Sequence, residues 1–236
     1  MAESEVKIPS ETLEAIARSL FKSTAEYGFR QVDYLRFVNL ILDMSMKNGV
    51  DAARDPAAPA PRQPEAPVSM PLHGEGLAIR SYDLTTDRPL CEKWVADRRG
   101  RYFLLSRTTA EPLEIGQLLA GDHNLLGVIT LADGHPIGLM AFLDHDRAQK
   151  KAELRKLIGE AEHRGKGYGK QAAALWIRYG IANLGLRKIY LNTLETDLRN
   201  IRLNEELGFK VEGILRNECW FDGEYHDILR MALLVE

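Results

Sequence analysis

The sequence is poor in the features that would decide its class at once. It has two cysteines, Cys91 and Cys219, so no disulfide framework is implied and a reducing compartment fits. Its six histidines show no metal-ligand spacing, and no metal is expected. No apolar run approaches the roughly 20 residues of a membrane span. Glu3 and Glu5 with no long apolar core argue against a signal peptide, so the expected location is the cytoplasm. A formal net charge of -3 gives no reason to expect nucleic acid or an anionic membrane as partner. What remains, with 45% hydrophobic and 28% charged residues, is the composition of an ordinary globular protein of 236 residues.

Proline and glycine divide the chain. Six of the 10 prolines (Pro56, Pro59, Pro61, Pro64, Pro67 and Pro71) fall among alanines between 51 and 71, which reads as a semi-rigid linker. Before it, residues 8–48 read as a helical hairpin. Ser10 follows Pro9 as a cap, Leu13, Ile16, Ala17, Leu20 and Phe21 share one face, Gly28 breaks the pattern, and a second apolar run extends from Val32 to Met46. Two such helices cannot bury this surface alone. Docking on the main domain, pairing with a second copy to make a homo-oligomer, and binding another partner are all open.

Residues 74–236 read as one mixed α/β domain. Strands are expected at Leu77–Tyr82, Leu125–Leu131, Pro136–Leu143, Lys151–Ile158, Lys188–Leu194, Phe209–Leu215 and Asp227–Val235. Asp133-Gly134 and Asp222-Gly223 are turn signals. Helices are expected at Pro89–Arg98, at Lys170–Leu184 with Ala173, Ala174, Trp176, Ile177 and Ile181 inward, and at Leu198–Leu207 closed by Gly208. Residues 102–120 are ambiguous: Tyr102–Leu105 can be read as a strand and Pro112–Leu119 as a short helix.

The most specific stretch is Arg164-Gly165-Lys166-Gly167-Tyr168-Gly169-Lys170, between a strand and a helix. Alternating glycines let backbone N–H groups press on an anion, with a helix N-terminus behind them. A bare tight turn is the alternative, though it needs only one or two glycines. The P-loop fails here, since Gln171 follows Gly169-Lys170 and no hydroxyl is present for magnesium. The dinucleotide fingerprint fails because Gly165-x-Gly167-x-Gly169 is one residue short.

Arg164-x-x-Gly167-x-Gly169 does fit another pattern. With the segment Leu194–Phe209 ending in Gly208-Phe209, and with Gly223–Asp227 followed by Met231, it resembles the GNAT superfamily of N-acyltransferases, nearest the ribosomal-protein and amino-sugar acetyltransferase branch. The resemblance covers about 75–236 and implies a mixed, mostly antiparallel sheet flanked by helices. It implies that acetyl-CoA is the co-substrate, its pyrophosphate held by Arg164, Gly165, Lys166, Gly167, Tyr168, Gly169 and Lys170. It also implies that the backbone at Leu157 and Ile158 meets pantetheine and the thioester oxygen.

The side chains are less constrained. Many members of the superfamily carry a tyrosine acid seven residues after an Asn; the matching positions here are Asn204 and Asp197. A Glu base used by some relatives is matched by Asn192. Among nearby carboxylates, Glu153 is the candidate catalytic base, with pairing to Arg155 the alternative. Asp197 and Asn200 can cap the helix they open or touch pantetheine. Tyr225, His226 and Asp222 stand near the final hairpin and can reach the acceptor. Cys219-Trp220-Phe221 either lines the acceptor cleft or packs.

The implied reaction moves an acetyl group to a primary amine, with a nucleotide amino sugar or a protein N-terminus expected first, and a polyamine or antibiotic open. The rival is a non-catalytic acyl-CoA sensor signalling through residues 8–48. A chain begun near residue 72 is expected to melt cooperatively on its own. It should run at lower mass on size-exclusion chromatography if the helical hairpin is an assembly element.

Overall fold

A computed structural model describes residues 10–29, 33–34, 37–38, 41, 67–97, 100–104, 123–194 and 197–235. The expected helix at 112–119 and most of the linker and second hairpin helix lie outside these residues. Two compact units divide at Ala58/Pro59. In the first, helix α1 (Ser10–Ala25) ends before Gly28, whose φ of 71° suits glycine. Phe21 stacks on Tyr34 with centroids 5.5 Å apart, and the Tyr34 hydroxyl bonds Thr24 Oγ1 at 2.8 Å. Leu13, Ile16, Val38 and Ile41 stay exposed.

The second unit is built on one eight-stranded sheet. Its strands are β1 (Leu72–His73), β2 (Leu77–Ser81), β3 (Leu125–Leu131), β4 (Pro136–Asp146), β5 (Lys151–Ile158), β6 (Lys188–Leu194), β7 (Lys210–Phe221) and β8 (Glu224–Leu234). The spatial order is β1-β2-β3-β4-β5-β6-β8-β7. All neighbours are antiparallel except β5 and β6. That parallel pair needs a crossover, which the helix α3 (Tyr168–Leu184) supplies.

Helix α2 (Leu84–Ala96) covers one sheet face, packing Cys91, Trp94 and Val95 against Val128, Leu139, Ala141 and Leu157. It starts five residues before the position predicted from Pro89. Asp83 caps it, accepting from the N–H groups of Thr85 and Thr86 at 2.9 Å, and its own N–H donates to Asp87 at 2.8 Å. Arg80 on β2 grips the buried Asp87 with two bonds of 2.7 Å. This start signal outweighs the proline, which the helix carries inside it.

The other face is covered by α3. Its buried stripe is Ala172, Ala173, Trp176, Ile177 and Gly180. The stripe lies a little to one side of the expected one: Ala174 is exposed and Ile181 half-buried. Trp176 stacks on Phe142 of β4 at 5.5 Å, and both are fully buried. Helix α4 (Leu198–Glu206) follows β6, and Gly208 takes the left-handed φ of 91° after it.

Two expectations are corrected. The strand expected from Tyr102 is a 3-10 turn, Gly100–Leu104, because Arg101 N–H bonds the Asp97 carbonyl and Phe103 tucks into the α2 core. The final hairpin is much longer than predicted. Asp222 and Gly223 both have positive φ, 52° and 88°, the geometry of a two-residue turn that lets β7 and β8 pair up to Phe221–Glu224. Trp176→Ala is expected to lower the free energy of unfolding by about 3–5 kcal/mol, read from the urea midpoint.

Candidate active site

Strands β5 and β6 pair only at Lys151–Lys188, Ala152–Ile189 and Glu153–Tyr190. Beyond Glu153 the two part, although β5 runs on to Ile158 and β6 to Leu194. A sheet interrupted in its middle exposes peptide N–H and C=O groups that a ligand backbone can pair with. A cavity of about 100 Å³ opens in the gap, lined by Tyr102, Leu154, Arg155, Lys156, Asn192, Thr193, Asn200 and Asn204, among others.

Side chains alternate across β5, so the gap has two chemically different walls. On the α2 side, Glu153 and Arg155 form an ion pair of 2.7 Å, both almost wholly buried. Asn192 Nδ2 donates to Glu153 at 2.9 Å, and Arg230 of β8 donates to Asn192 Oδ1 at 3.1 Å. Arg155 also donates to the Asn192 carbonyl at 3.3 Å, and the Arg230 guanidinium lies over Tyr190, 5.0 Å from its centroid. Arg155 and Asn192 line the cavity, while Glu153 stands behind them. The paired reading of Glu153 is the one its surroundings match. A base must reach the proton it removes, and this carboxylate faces its own partners.

On the α4 side the wall is polar and less charged. Lys156 Nζ donates to Oδ1 of Asn204, which is fully buried. Burial pushes the Lys156 amine down to about 8, with Asp197 pulling in the opposite direction. Asn200 Nδ2 donates to Thr193 Oγ1 at 3.1 Å. Asp197 is the N-cap of α4, accepting the Asn200 N–H at 3.1 Å. Of the two, Asp197 caps the helix and Asn200 supplies the capped N–H, and both line the cavity.

The glycine loop follows β5. Gly165 and Gly167 have φ of 79° and 89°, open to glycine and strained for other residues. Gly167 is the N-cap of α3 and, among the described residues, no side chain caps that end, so the helix presents its first N–H groups at the loop. Tyr168 and Gly169 are the first helical residues. Lys170 is engaged with Glu206 at 2.6 Å at the surface. Arg164, expected among the pyrophosphate-binding residues, also makes bonds within the fold. Its guanidinium donates back to the carbonyls of Ile158 and Gly159 at 2.9 and 2.7 Å and pairs with Asp97 at 2.9 Å. Those carbonyls need a donor where the strand ends, and the arginine supplies it.

Three contributors escaped the sequence reading. Lys156 was legible in principle, as a lysine between Leu154 and Ile158 on an inward face. Arg199 on α4 reaches the loop, its guanidinium 3.6 Å from where a Cβ at Gly165 would stand. Only the fold-back of α4 places it there. Tyr102 gives its carbonyl to Arg155 at 3.5 Å, and its ring lies tilted against Phe221 with centroids 4.7 Å apart. At the hairpin tip, Asp222 pairs with Arg101 at 2.6 Å and His226 bonds the Phe221 carbonyl at 2.9 Å. Cys219 and Phe221 pack inward, while Trp220 sits edge-on against Tyr225 outside.

Glu153→Ala leaves Arg155 buried without its carboxylate. It is expected to cost about 3–5 kcal/mol of stability, measured by chemical denaturation.

The comparisons with known proteins agree with this geometry. Residues 77–210 match the model of the acetyltransferase (GNAT) domain. The chain is 34% identical over 101 residues to the spermidine N(1)-acetyltransferase of Escherichia coli (strain K12), covering 43% of this chain and 54% of that protein. It thus spans about half the length of that curated relative. It is 26% identical over 170 residues to an uncharacterised N-acetyltransferase, p20, of Bacillus licheniformis, covering 69% of this chain and 95% of that one. Among solved structures it is similar to mutant forms of the spermidine/spermine N-acetyltransferase of Vibrio cholerae. The TM-score there is 0.59 at 26% identity, over 67% of this chain and 94% of that one. With the domain model matched over more than half its length, the chain belongs to the GNAT acetyltransferase domain family.

Proposed function

We propose that the protein is an acetyl-CoA-dependent N-acetyltransferase acting on a small primary amine. The observation that carries this reading is the parting of β5 from β6 after Glu153, beside the uncapped, glycine-flanked N-terminus of α3. An extended thioester arm fits between the strands, pairing with peptide groups at Leu157 and Ile158, while the diphosphate meets the N–H groups of Gly165 to Gly169. Lys166 and Arg199 add positive charge at that end.

In the gap, a neutral amine attacks the thioester carbon. The oxyanion that develops accepts a hydrogen bond from a β5 amide, a donor fixed in place before the reaction. Glu153 holds Arg155 and Asn192 in position as a wall of the pocket. The long β7–β8 hairpin, with Trp220 and Tyr225 at its exposed end, offers a surface for the acceptor. The names of the relatives favour a polyamine as the first acceptor to test, with a nucleotide amino sugar and a protein N-terminus beside it.

The test mixes the full chain with acetyl-CoA and a panel of spermidine, spermine, a nucleotide amino sugar and a peptide with a free N-terminus, and follows released thiol. Release with a polyamine is the expected result. Gly167→Val, forced to a strained φ at the loop, is expected to weaken acetyl-CoA binding about tenfold or more. Thermal stabilisation by acetyl-CoA with no turnover on any amine would instead identify a sensor, and no stabilisation at all would overturn both readings.

A further inference from the structure

Lys156 is the one residue on its face of β5 that does not belong to an apolar wall. Leu154 and Ile158 flank it on the same side, and its stem crosses toward α4 to reach Asn204. An ammonium group only donates hydrogen bonds, so the Asn204 amide must turn its oxygen to it. That fixes Asn204 with Nδ2 directed elsewhere, and this buried nitrogen has no hydrogen-bond partner among the described residues. Both residues line the cavity where the strands part. Asn204 is also the position at which the sequence resemblance places a tyrosine acid, so the usual donor is absent while a lysine is held at the same spot.

The other titratable groups facing this cavity are Tyr102, Arg155 and Asp197. Arg155 is committed to Glu153 on the opposite wall, and a guanidinium does not give up its proton. The Tyr102 ring lies tilted against Phe221, and Asp197 caps α4. A buried amine, by contrast, is a shared-proton group well suited to a thiolate. Its acidity is shifted by burial toward that of a thiol, which shortens the energetic step between them.

We propose that Lys156, positioned by Asn204, is the general acid that protonates the departing thiolate. This rests on the acetyltransferase reading above. The acceptor nitrogen forms its bond to the carbonyl carbon, and the carbon–sulfur bond then breaks with its electron pair on sulfur. The Lys156 ammonium passes one proton to that sulfur, giving free thiol. The acylated nitrogen releases its extra proton to solvent, and the neutral Lys156 amine takes one back from solvent before the next turnover. Charge and atoms balance with no further reactant.

The test compares wild type, Lys156→Met, Lys156→Arg and the double variant K156M/N204Y, using the best acceptor of the amine panel. Acetyl-CoA affinity and melting temperature are measured beside kcat. The wild-type rate is expected to fall as pH rises through about 8, because the acid must carry its proton. Lys156→Met should lower kcat by about 10²- to 10⁴-fold and abolish that alkaline limb, with acetyl-CoA affinity close to wild type. Lys156→Arg keeps the charge without a transferable proton and should stay equally slow. The tyrosine of the double variant should restore part of the rate.

Either kcat within about twofold of wild type in Lys156→Met, or full activity in Lys156→Arg, overturns the proposal. So does a loss of acetyl-CoA affinity in Lys156→Met that accounts for the whole loss of rate, since that is a binding role. Should Lys156→Met fail to fold, Lys156→Arg and its pH profile decide. A wild type that turns over no amine refutes the acetyltransferase reading and this inference together. A wild type that turns over, with variants that match it, refutes this inference alone.

Discussion

Everything that gives this domain a site depends on one interrupted ladder. Strands β5 and β6 are the sheet's parallel pair, and they hold together for three residues. Further out, each is kept straight by its other neighbour: β5 by β4, paired to Ile158, and β6 by β8, paired to Leu194. The gap is therefore braced on both sides and cannot close by simple relaxation of either strand. Backbone groups that a continuous sheet would satisfy internally are left for a ligand. The glycine loop lies at the far end of β5 because the same strand that forms one wall of the gap runs directly into it.

Two layers of polar chemistry flank this opening, and they differ in kind. Toward α2, Glu153, Arg155, Asn192 and Arg230 form a tightly bonded buried group whose members neutralise and orient one another. Such a group resists movement, since breaking any one contact strands a charge away from water. Toward α4 the contacts are sparser: one lysine, one fully buried amide and a Thr–Asn bond. The first layer gives rigidity, and the second is the one on which the proposed proton transfer rests.

Much of the domain was legible in the sequence because its signals are local. Short strand-like runs marked β3 to β6, Asp133-Gly134 and Asp222-Gly223 marked the turns, and the spacing Arg164-x-x-Gly167-x-Gly169 marked the loop. The misreadings came where two local signals competed. At α2 the Asp83 cap and its Arg80–Asp87 clamp outweighed Pro89, because the clamp's partner lies on another strand. At 100–104 the aromatic run resembled a strand, yet Phe103 had a core to enter from a single turn. The site was less legible than the fold. Glu153 is as acidic in sequence as any catalytic carboxylate, and only Arg155 and Asn192, brought together by the sheet, reveal its engagement. Arg164 reads as a cation for an anion, yet the end of β5 claims its donors first.

That last contact separates what the domain can vary from what it must keep. By tying the carbonyls of Ile158 and Gly159 and the carboxylate of Asp97 to the start of the loop, Arg164 joins the strand end, the loop and the end of α2 into one mechanical piece. The proposed donor half of the site is thus built on a braced strand end. The outer hairpin and the 100–104 turn, proposed above to face the acceptor, meet the gap where the Tyr102 carbonyl accepts from Arg155 and its ring lies against Phe221. On the proposed reading, substrate preference can drift along the hairpin over evolutionary time while the braced strand end stays constant.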